Sequence, residues 1–201
     1  MQPVTAEPLE RLFEGVPVQI RGNPESIVSS IATDSRHVRP GALFFALPGA
    51  RADGHDFAAA AAAAGAAGIV AQREVHVPEG TPVVIVPDTL VALSKVAARF
   101  YEDPSRHLVM VGVTGTNGKT TTTFFIEAIA RVAGQQFGVI GTLGARLGAQ
   151  PIERLENTTP FAHDLQRILA EFRNAGGRGA VLEVSSHALQ LHRVDDVAFD
   201  V

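Results

Sequence analysis

The sequence predicts an α/β protein, with a small N-terminal α/β domain followed by a domain built on a mostly parallel sheet. From about residue 88 onward, apolar strand-like runs alternate with helical patterns, which is typical of a parallel sheet covered by helices. Before that point the strand-like runs are shorter and are separated by glycine and proline. This change in pattern predicts two domains, residues 1–87 and 88–201.

The first domain is expected to form several short strands and one alanine-rich helix. The strand-like runs are "VPVQI" (16–20), "IVSSIATDS" (27–35), "ALFFAL" (42–47), "GIVAQ" (68–72) and "PVVIVPD" (82–88). A helix is predicted through the alanines that begin at Ala58, because alanine has the highest helix propensity. We expect Asp56 to cap the start of this helix and Gly65 to end it.

The second domain alternates strands and helices along its whole length. Strands are predicted over 107–113, over 137–142 and from 179, and helices over 89–101, 121–134 and 159–177, with Pro160 near the start of the last. The chain ends on "VDDVAFDV" (194–201), which has the pattern of a further strand with no helix to cover it. Because both faces of a parallel sheet are normally covered, we expect the chain to stop inside its second domain.

The composition excludes several classes of protein. A formal net charge of −4 and the absence of a basic cluster argue against a nucleic-acid partner. The absence of cysteine excludes a disulfide scaffold and a cysteine-ligated zinc site. The acidic, proline-containing N-terminus lacks the pattern of a signal peptide, and no apolar run approaches the roughly 18 residues of a membrane span. We therefore expect a cytoplasmic protein without a membrane partner.

The stretch "TGTNGKTT" (114–121) follows a strand-like run and precedes a helical pattern. A glycine-rich turn in this context points backbone N–H groups, and the positive end of the helix dipole, at one place, which favours phosphate. We expect Lys119 to reach the β- and γ-phosphates of a nucleotide and Thr120 to bind Mg²⁺. Val113 stands where the general phosphate-loop pattern has its first glycine. The alternative is a glycine-rich turn with a solvated lysine.

Glu183 lies in the apolar run "VLEV" (181–184), where an unpaired carboxylate is costly. At the C-terminal end of a strand beside a phosphate loop, it would face the crevice in which α/β sheets bind ligands. We therefore expect Glu183 to be a second Mg²⁺ ligand. The alternative is a salt-bridged glutamate at the end of the strand.

These motifs together resemble those of a known family. The runs "GVTGTNGKTTTT", "NTTP" and "LEVSSHAL", with the N-terminal stretch "TDSRHVRPGALFFALPGARADGHDF" (33–57), resemble the Mur ligases, and within them the MurE type. The resemblance extends from about residue 27 to the end of the chain. It implies a UDP-substrate-binding domain followed by a phosphate-loop ATPase domain.

The resemblance also implies an activity. Members of this type are ADP-forming ligases of peptidoglycan synthesis that use ATP and Mg²⁺. They add a diamino acid to the D-Glu γ-carboxylate of UDP-MurNAc-L-Ala-D-Glu through an acyl phosphate. The partners implied are these small molecules, and we expect a monomer. The amino acid (meso-diaminopimelate, L-lysine or L-ornithine) stays open at this point.

Residue roles follow from the resemblance by position. The ATP phosphates are assigned to Gly115, Thr116, Asn117, Gly118, Lys119, Thr120 and Thr121, the metal to Thr120 and Glu183, and the catalytic roles to Lys119 and Glu183. The UDP-MurNAc-peptide is assigned to Thr33, Ser35, Ala50, Arg51, Ala52, Asn157, Thr158, Thr159, Ser185 and Arg193. Family members often carry glutamine two residues before the last of these, where this chain has Leu191.

Simpler structural roles are open for some of these positions. "TDSR" could form a plain turn, "ENTTP" could cap a helix, and Arg193 could be a surface residue. Asp53 begins a turn signal and is assigned no ligand.

Two other functions also remain open at this stage. One is a sister ligase that acts on another UDP-muramoyl peptide, and the other is a noncatalytic module that binds a UDP-sugar or ATP. The resemblance further implies that an activating carbamylated lysine, a metal-binding histidine and an amino-acid-selecting domain lie beyond Val201. We therefore expect the 201 residues alone not to turn over.

Overall fold

The computed structural model describes residues 6–49 and 52–201. Two compact units are present, one ending at Val96 and the other beginning at Ala97. The division falls inside a helix that spans Thr89–Phe100, later in the chain than the expected boundary between residues 87 and 88, which stays a prediction. Both units combine parallel strands with helices, so the predicted α/β class is confirmed.

The first unit is organised around a five-stranded sheet. The strands of this unit are β1 (Glu7–Pro8), β2 (Gln19–Arg21), β3 (Ile27–Val28), β4 (Ser30–Ala32), β5 (Ala42–Phe45), β6 (Gly68–Ala71) and β7 (Val83–Ile85). The helices of the unit are α1 (Leu9–Leu12) and α2 (Ala58–Ala63), followed by the start of α3 (Thr89–Phe100). The strand order is β2-β7-β6-β5-β4, in which β4 to β7 run parallel and β2 is antiparallel to β7. Strands β1 and β3 form a separate antiparallel pair.

The alanine helix packs closely on this sheet. Ala58 and Ala61 of α2 belong to the same buried cluster as Phe44 of β5 and Ile69 of β6. Alanine side chains are small enough to let a helix approach a sheet that presents large apolar groups, so the alanine run fits the short crossover between two parallel strands. The predicted helix is confirmed, and it ends two residues before Gly65, whose φ of +89° suits glycine.

The expected cap of this helix is wrong. A 3₁₀ turn over Gly54–Phe57 precedes α2, and the cap of the turn is Asp53 rather than Asp56. One Asp53 carboxylate oxygen accepts the backbone N–H of His55 at 3.0 Å, and the other accepts Nη1 of Arg73 at 3.0 Å. The hydrogen bond from the His55 backbone is the main reason that the pKa of Asp53 is lowered.

The second unit contains the longer elements. Its strands are β8 (Val109–Val113), β9 (Phe137–Gly141), β10 (Gly144–Leu147), β11 (Gln150–Glu153) and β12 (Gly179–Glu183), and its helices after α3 are α4 (Lys119–Val132), α5 (Ala162–Asn174) and α6 (Ser186–Gln190). The sheet order is β11-β10-β9-β12-β8. The three strands β9, β12 and β8 are parallel, as predicted, whereas the antiparallel hairpin of β10 and β11 was not predicted.

The two long helices of this unit contact the sheet on opposite faces. Leu165 and Phe172 of α5 pack in one buried cluster with Met110, Ile140 and Leu182 of the strands. Side chains alternate along a strand, so the residue after Leu182 points to the other face, where α4 contacts β9 and β12. Helices on both faces explain why these strands are apolar almost throughout.

The ends of the predicted elements shift by a few residues. Helix α4 begins at Lys119, two residues earlier than predicted, and α5 begins at Ala162 rather than near residue 159. The last residues of the chain do not form the predicted strand, although the N–H of Gly112 donates to the carbonyl of Val201 at 2.9 Å. None of the helices in the described part of the chain has the length and apolar character to span a membrane.

We predict that Leu165→Ala lowers the free energy of unfolding by about 2–5 kcal/mol, because the leucine is fully buried between α5 and the sheet. Leu143→Ala is the matched control, since that leucine is 74% exposed and its loss should change stability by less than about 0.5 kcal/mol. Urea unfolding followed by circular dichroism measures both. Equal losses from the two variants would contradict this description of the core.

Candidate functional site

A glycine-rich loop connects β8 to α4. The loop runs from 114 to 118, between β8, the parallel strand at the edge of the sheet, and the first helical residue, Lys119. Gly118 has a φ of +82° at the helix N-cap and Gly115 has a φ of +141°, and these conformations strongly favour glycine. The first N–H groups of α4 have no partner within the helix, so this end of the helix is suited to bind an anion.

Lys119 lies against this loop. Its ammonium Nζ donates to the carbonyl of Gly115 at 2.8 Å, which places a positive charge beside the start of α4. The ammonium charge and the N-terminal end of α4 therefore lie at the same place, and the predicted contact of Lys119 with phosphate stays a prediction. This carbonyl is a neutral acceptor, which an anionic ligand would replace with a stronger one.

The Glu183 carboxylate is buried at the C-terminal end of β12 and is only 1% exposed. Its Oε2 accepts the hydroxyls of Thr120 at 3.0 Å and of Thr142 at 3.2 Å, and its Oε1 accepts the backbone N–H of Thr142 at 3.1 Å. Gly141 makes room for it, because a Cβ there would lie 2.1 Å from Oε1. These donors replace the water that burial removes, and the described residues include no salt-bridge partner for Glu183.

Thr120 and Glu183 fit a magnesium ion. They supply a hydroxyl and a carboxylate oxygen next to a loop suited to phosphate, and Mg²⁺ is usually held by one or two protein oxygens together with substrate phosphates and water. Within residues 6–49 and 52–201, no group of three or more His, Cys, Asp or Glu side chains could hold a metal. A metal ion bound to Thr120 and Glu183 would therefore need further ligands, such as phosphate oxygens or water.

A second set of polar residues adjoins Glu183. The Thr159 hydroxyl donates to the backbone carbonyl of Glu183 at 2.7 Å and accepts the N–H of Ser185 at 3.1 Å. The Ser185 hydroxyl caps α6 by accepting the N–H of Ala188. These contacts fix the segment that contains Asn157, Thr158 and Thr159 beside the end of β12. Asn157 also lines a polar cavity of about 190 Å³.

Arg193 is buried in this region and is not a surface residue. It is 5% exposed, its Nη1 donates to the carbonyl of Thr159 at 2.7 Å, and its guanidinium lies over the Phe161 ring at 4.2 Å. Burial lowers its pKa, and its Nε is a buried donor with no protein acceptor in the described part of the chain. A buried guanidinium with an unused donor is suited to an anionic ligand.

The interpretation of "ENTTP" as a helix cap is wrong. The N-cap of α5 is Phe161, and no side chain caps that helix. The threonines instead bond to the ends of neighbouring strands, since the Thr158 hydroxyl lies 3.1 Å from that of Thr142 and Thr159 contacts β12.

The first unit holds the remaining predicted contacts, which stay predictions. Thr33 directly follows β4, and Ser35 begins a 3₁₀ turn capped by Asp34, whose side chain accepts the N–H of Arg36 at 2.9 Å. The hydrogen bond from the Arg36 side chain is the main cause that lowers the pKa of Asp34 to about 2. The turn interpretation of "TDSR" is therefore confirmed. Ala52 lies just before the turn at Gly54–Phe57, and Ala50 and Arg51 lie outside the described residues.

Sequence reasoning missed Gly141 and Thr142. Gly141 is the last residue of β9, the strand beside β12, and leaves space for the Glu183 carboxylate. Thr142 follows it and hydrogen-bonds to that carboxylate. A signal was present, because "FGVIGT" ends on a hydroxyl residue immediately after an apolar strand. The neighbouring position of β9 and β12, which brings that hydroxyl to Glu183, could be known only from the strand order.

Two family models match nearly the whole chain. The model described as "Mur ligase family, catalytic domain" matches residues 27–114, and the one described as "Mur ligase middle domain" matches residues 113–201. A protein of Geobacter sulfurreducens named UDP-N-acetylmuramoyl-L-alanyl-D-glutamate--2,6-diaminopimelate ligase is 42% identical over 97% of this chain and 38% of its own length. A protein of the same name from Geobacillus thermodenitrificans is 46% identical over 90% of this chain and 36% of its own length.

Solved structures show the same fold. A structure of a UDP-N-acetylmuramoyl-L-alanyl-D-glutamate--2,6-diaminopimelate ligase superimposes with a TM-score of 0.80 at 26% identity, over 96% of this chain and 38% of that one. The MurF ligase of Thermotoga maritima in complex with ADP superimposes with a TM-score of 0.58 at 24% identity, over 85% of this chain and 36% of that one. The chain thus spans less than two fifths of the length of these relatives.

We predict that Glu183→Gln removes magnesium binding without unfolding the chain. Glutamine has the same shape, its carbonyl can accept the N–H of Thr142, and its NH₂ can donate to the hydroxyl oxygens that now donate to Glu183. Bound Mg²⁺ and ADP should raise the melting temperature of the unaltered protein, and this rise should be lost in the variant. Glu79→Gln, at an exposed site in the other unit, is the control. A full rise in Glu183→Gln would exclude the carboxylate as a ligand.

Proposed function

The chain belongs to the Mur ligase family, and on that premise we propose that it contributes to an ATP-dependent ligation of a diamino acid to UDP-MurNAc-L-Ala-D-Glu. The observation that carries the proposal is the contact of Thr120 with Glu183 at 3.0 Å, beside Lys119 and the glycine-rich loop. This contact brings the features of a nucleotide-phosphate site and of a metal site together at the C-terminal ends of the parallel strands β8 and β12.

The chemistry of the proposed reaction is the activation of a carboxylate. The D-Glu γ-carboxylate attacks the γ-phosphorus of ATP, the bond to ADP breaks, and an acyl phosphate forms. The amine of the incoming amino acid then attacks the carbonyl carbon, loses a proton and expels phosphate. This leaves an amide bond, ADP and phosphate.

The protein contributes mainly position and charge to such a transfer. The backbone N–H groups of Gly115 through Thr121 would hold the phosphates at the start of α4. Lys119 would leave the carbonyl of Gly115 and neutralise charge on the β- and γ-phosphates. Thr120 and Glu183 would hold Mg²⁺, which supplies further neutralisation of the transferring phosphoryl group. The ADP in the T. maritima structure supports the nucleotide part of this proposal.

The UDP-MurNAc-peptide is proposed to bind two groups of residues. In the second unit these are Asn157, Thr158, Thr159, Ser185 and Arg193, of which the arginine offers the buried donor for an anionic group. In the first unit they are Thr33, Ser35, Ala50, Arg51 and Ala52. The names of the relatives support 2,6-diaminopimelate as the diamino acid, ahead of L-lysine and L-ornithine.

The proposal concerns the polypeptide as its cell makes it, because the 201 residues span less than two fifths of the relatives. ATP and UDP-linked precursors are cytoplasmic metabolites, so we propose the cytoplasm as the place of the reaction. A monomer stays the expected state.

We predict that Lys119→Ala reduces ADP formation by about 10²–10³-fold, because one preorganised positive charge at the phosphates is lost. Binding of the UDP-substrate should be retained, since a different set of residues is proposed to hold it. The chain has one other lysine, Lys95, which is exposed on α3, and Lys95→Ala is the control. Coupled-enzyme detection of ADP measures turnover and calorimetry measures substrate binding. Near-normal ADP formation by Lys119→Ala would refute its role.

A substrate panel tests the identity of the reaction. We predict that product forms from UDP-MurNAc-L-Ala-D-Glu and 2,6-diaminopimelate, and not from UDP-MurNAc-L-Ala or from the UDP-muramoyl tripeptide. Mass spectrometry of the UDP-linked product, with each diamino acid in turn, reports the outcome. Product from another UDP-muramoyl peptide alone would instead indicate a sister ligase, and binding of both nucleotides without ADP formation would indicate a noncatalytic module.

A further inference from the structure

We propose that Thr142 is a positioning residue that connects the metal ligand Glu183 to the substrate segment at Thr158. This proposal rests on the function proposed above and adds a residue that neither the motifs nor the comparisons assign. It also specifies which kind of substrate group Thr158 accepts.

Thr142 contacts both sides of the site. Its backbone N–H and its hydroxyl each reach the Glu183 carboxylate, at 3.1 and 3.2 Å, and the same hydroxyl lies 3.1 Å from that of Thr158. Gly141 immediately before it leaves the space that the carboxylate occupies. The chain at the end of β9 therefore holds the Glu183 carboxylate by hydrogen bonds and contacts the segment between β11 and α5.

The direction of these hydrogen bonds follows from counting protons. A carboxylate is an acceptor-only group, and the Glu183 carboxylate receives donors from Thr120 and from both groups of Thr142. Thr142 has a single hydroxyl proton, and it is used on Glu183. In the contact between the two threonine hydroxyls, Thr158 must then be the donor.

This direction has a consequence for the ligand. The Thr158 proton is committed to Thr142, so the Thr158 oxygen presents only lone pairs to a bound molecule. The substrate group at Thr158 is therefore a donor, such as a peptide N–H or a sugar hydroxyl, and not a phosphate or carboxylate oxygen. The anionic groups of the substrate are left to donors such as the buried Nε of Arg193.

Thr142 differs in role from Thr120. The Thr120 hydroxyl is itself a candidate metal ligand, whereas Thr142 holds the carboxylate through two groups of one residue. A residue that orients a metal ligand in this way typically changes metal affinity about 10–100-fold when it is altered. Thr142 is exposed, so its loss should affect the site and leave the core intact.

The test compares three variants of the polypeptide as its cell makes it. Thr142→Val removes the hydroxyl and keeps the shape, Thr142→Ser restores the hydroxyl, and Thr158→Val removes the other end of the bridge. Electron paramagnetic resonance measures Mn²⁺ affinity in the presence of ADP, with and without UDP-MurNAc-L-Ala-D-Glu. Thermal melting reports whether each variant is folded.

We predict that Thr142→Val weakens Mn²⁺ binding about tenfold at an unchanged melting temperature, and that Thr142→Ser restores the binding. In the unaltered protein the UDP-substrate should change Mn²⁺ affinity, and this effect should disappear in Thr142→Val and in Thr158→Val. Thr158→Val alone should keep its Mn²⁺ affinity without substrate, because the Thr142 contacts with Glu183 remain.

Unchanged Mn²⁺ affinity and unchanged substrate effect in folded Thr142→Val would overturn this inference and leave the proposed function standing. If Thr142→Val does not fold, a full substrate effect in Thr158→Val would overturn it instead. Failure of the unaltered protein to bind Mn²⁺ with ADP would overturn the proposed function itself, so the two failures are distinguishable.

Discussion

The second unit is organised around one buried carboxylate. Glu183 lies at the end of β12, nearly without solvent, and a carboxylate in that position is stable only when its oxygens are hydrogen-bonded or bind a cation. Its partners come from the start of α4 and from the end of β9, and its backbone carbonyl binds Thr159. The hydrogen bonds to this one residue therefore connect Glu183 with three chain segments that are far apart in the sequence.

Parallel strands make this arrangement possible. The C-terminal ends of β8, β9 and β12 lie at one edge of the sheet, so the residues that follow them meet without any further folding. After β8 comes the glycine-rich loop with Lys119, after β9 comes Thr142, and after β12 comes Ser185. One edge of the sheet thus holds the Lys119 ammonium, the proposed metal ligands Thr120 and Glu183, and a set of hydroxyls, which are the groups that the proposed phosphoryl transfer would use. Lys119 contacts the neutral carbonyl of Gly115, which a nucleotide phosphate can replace, whereas Thr120 donates to the Glu183 carboxylate.

The sequence predicts the parts of the site that depend on local pattern. The strand, loop and helix around Lys119 and the unusual position of Glu183 were all readable from a few neighbouring residues. The role of Thr142 was not, because it depends on β9 lying next to β12. The caps were also mistaken, since Asp53 and Asp56 both suit a helix start and only the preceding 3₁₀ turn decides between them. The β10–β11 hairpin was missed because each strand has only four residues, "GARL" and "QPIE", without the long apolar run that revealed the parallel strands.

The central claim is that the loop between β8 and α4 holds nucleotide phosphates next to a metal at Thr120 and Glu183. A crystal structure of the chain with Mg²⁺ and a non-hydrolysable ATP analogue tests it most directly. The account predicts phosphate oxygens bonded to the N–H groups at the start of α4, Lys119 moved from the Gly115 carbonyl to a phosphate, and a metal between the two oxygen ligands. A nucleotide bound elsewhere, with Lys119 still on that carbonyl, would contradict it.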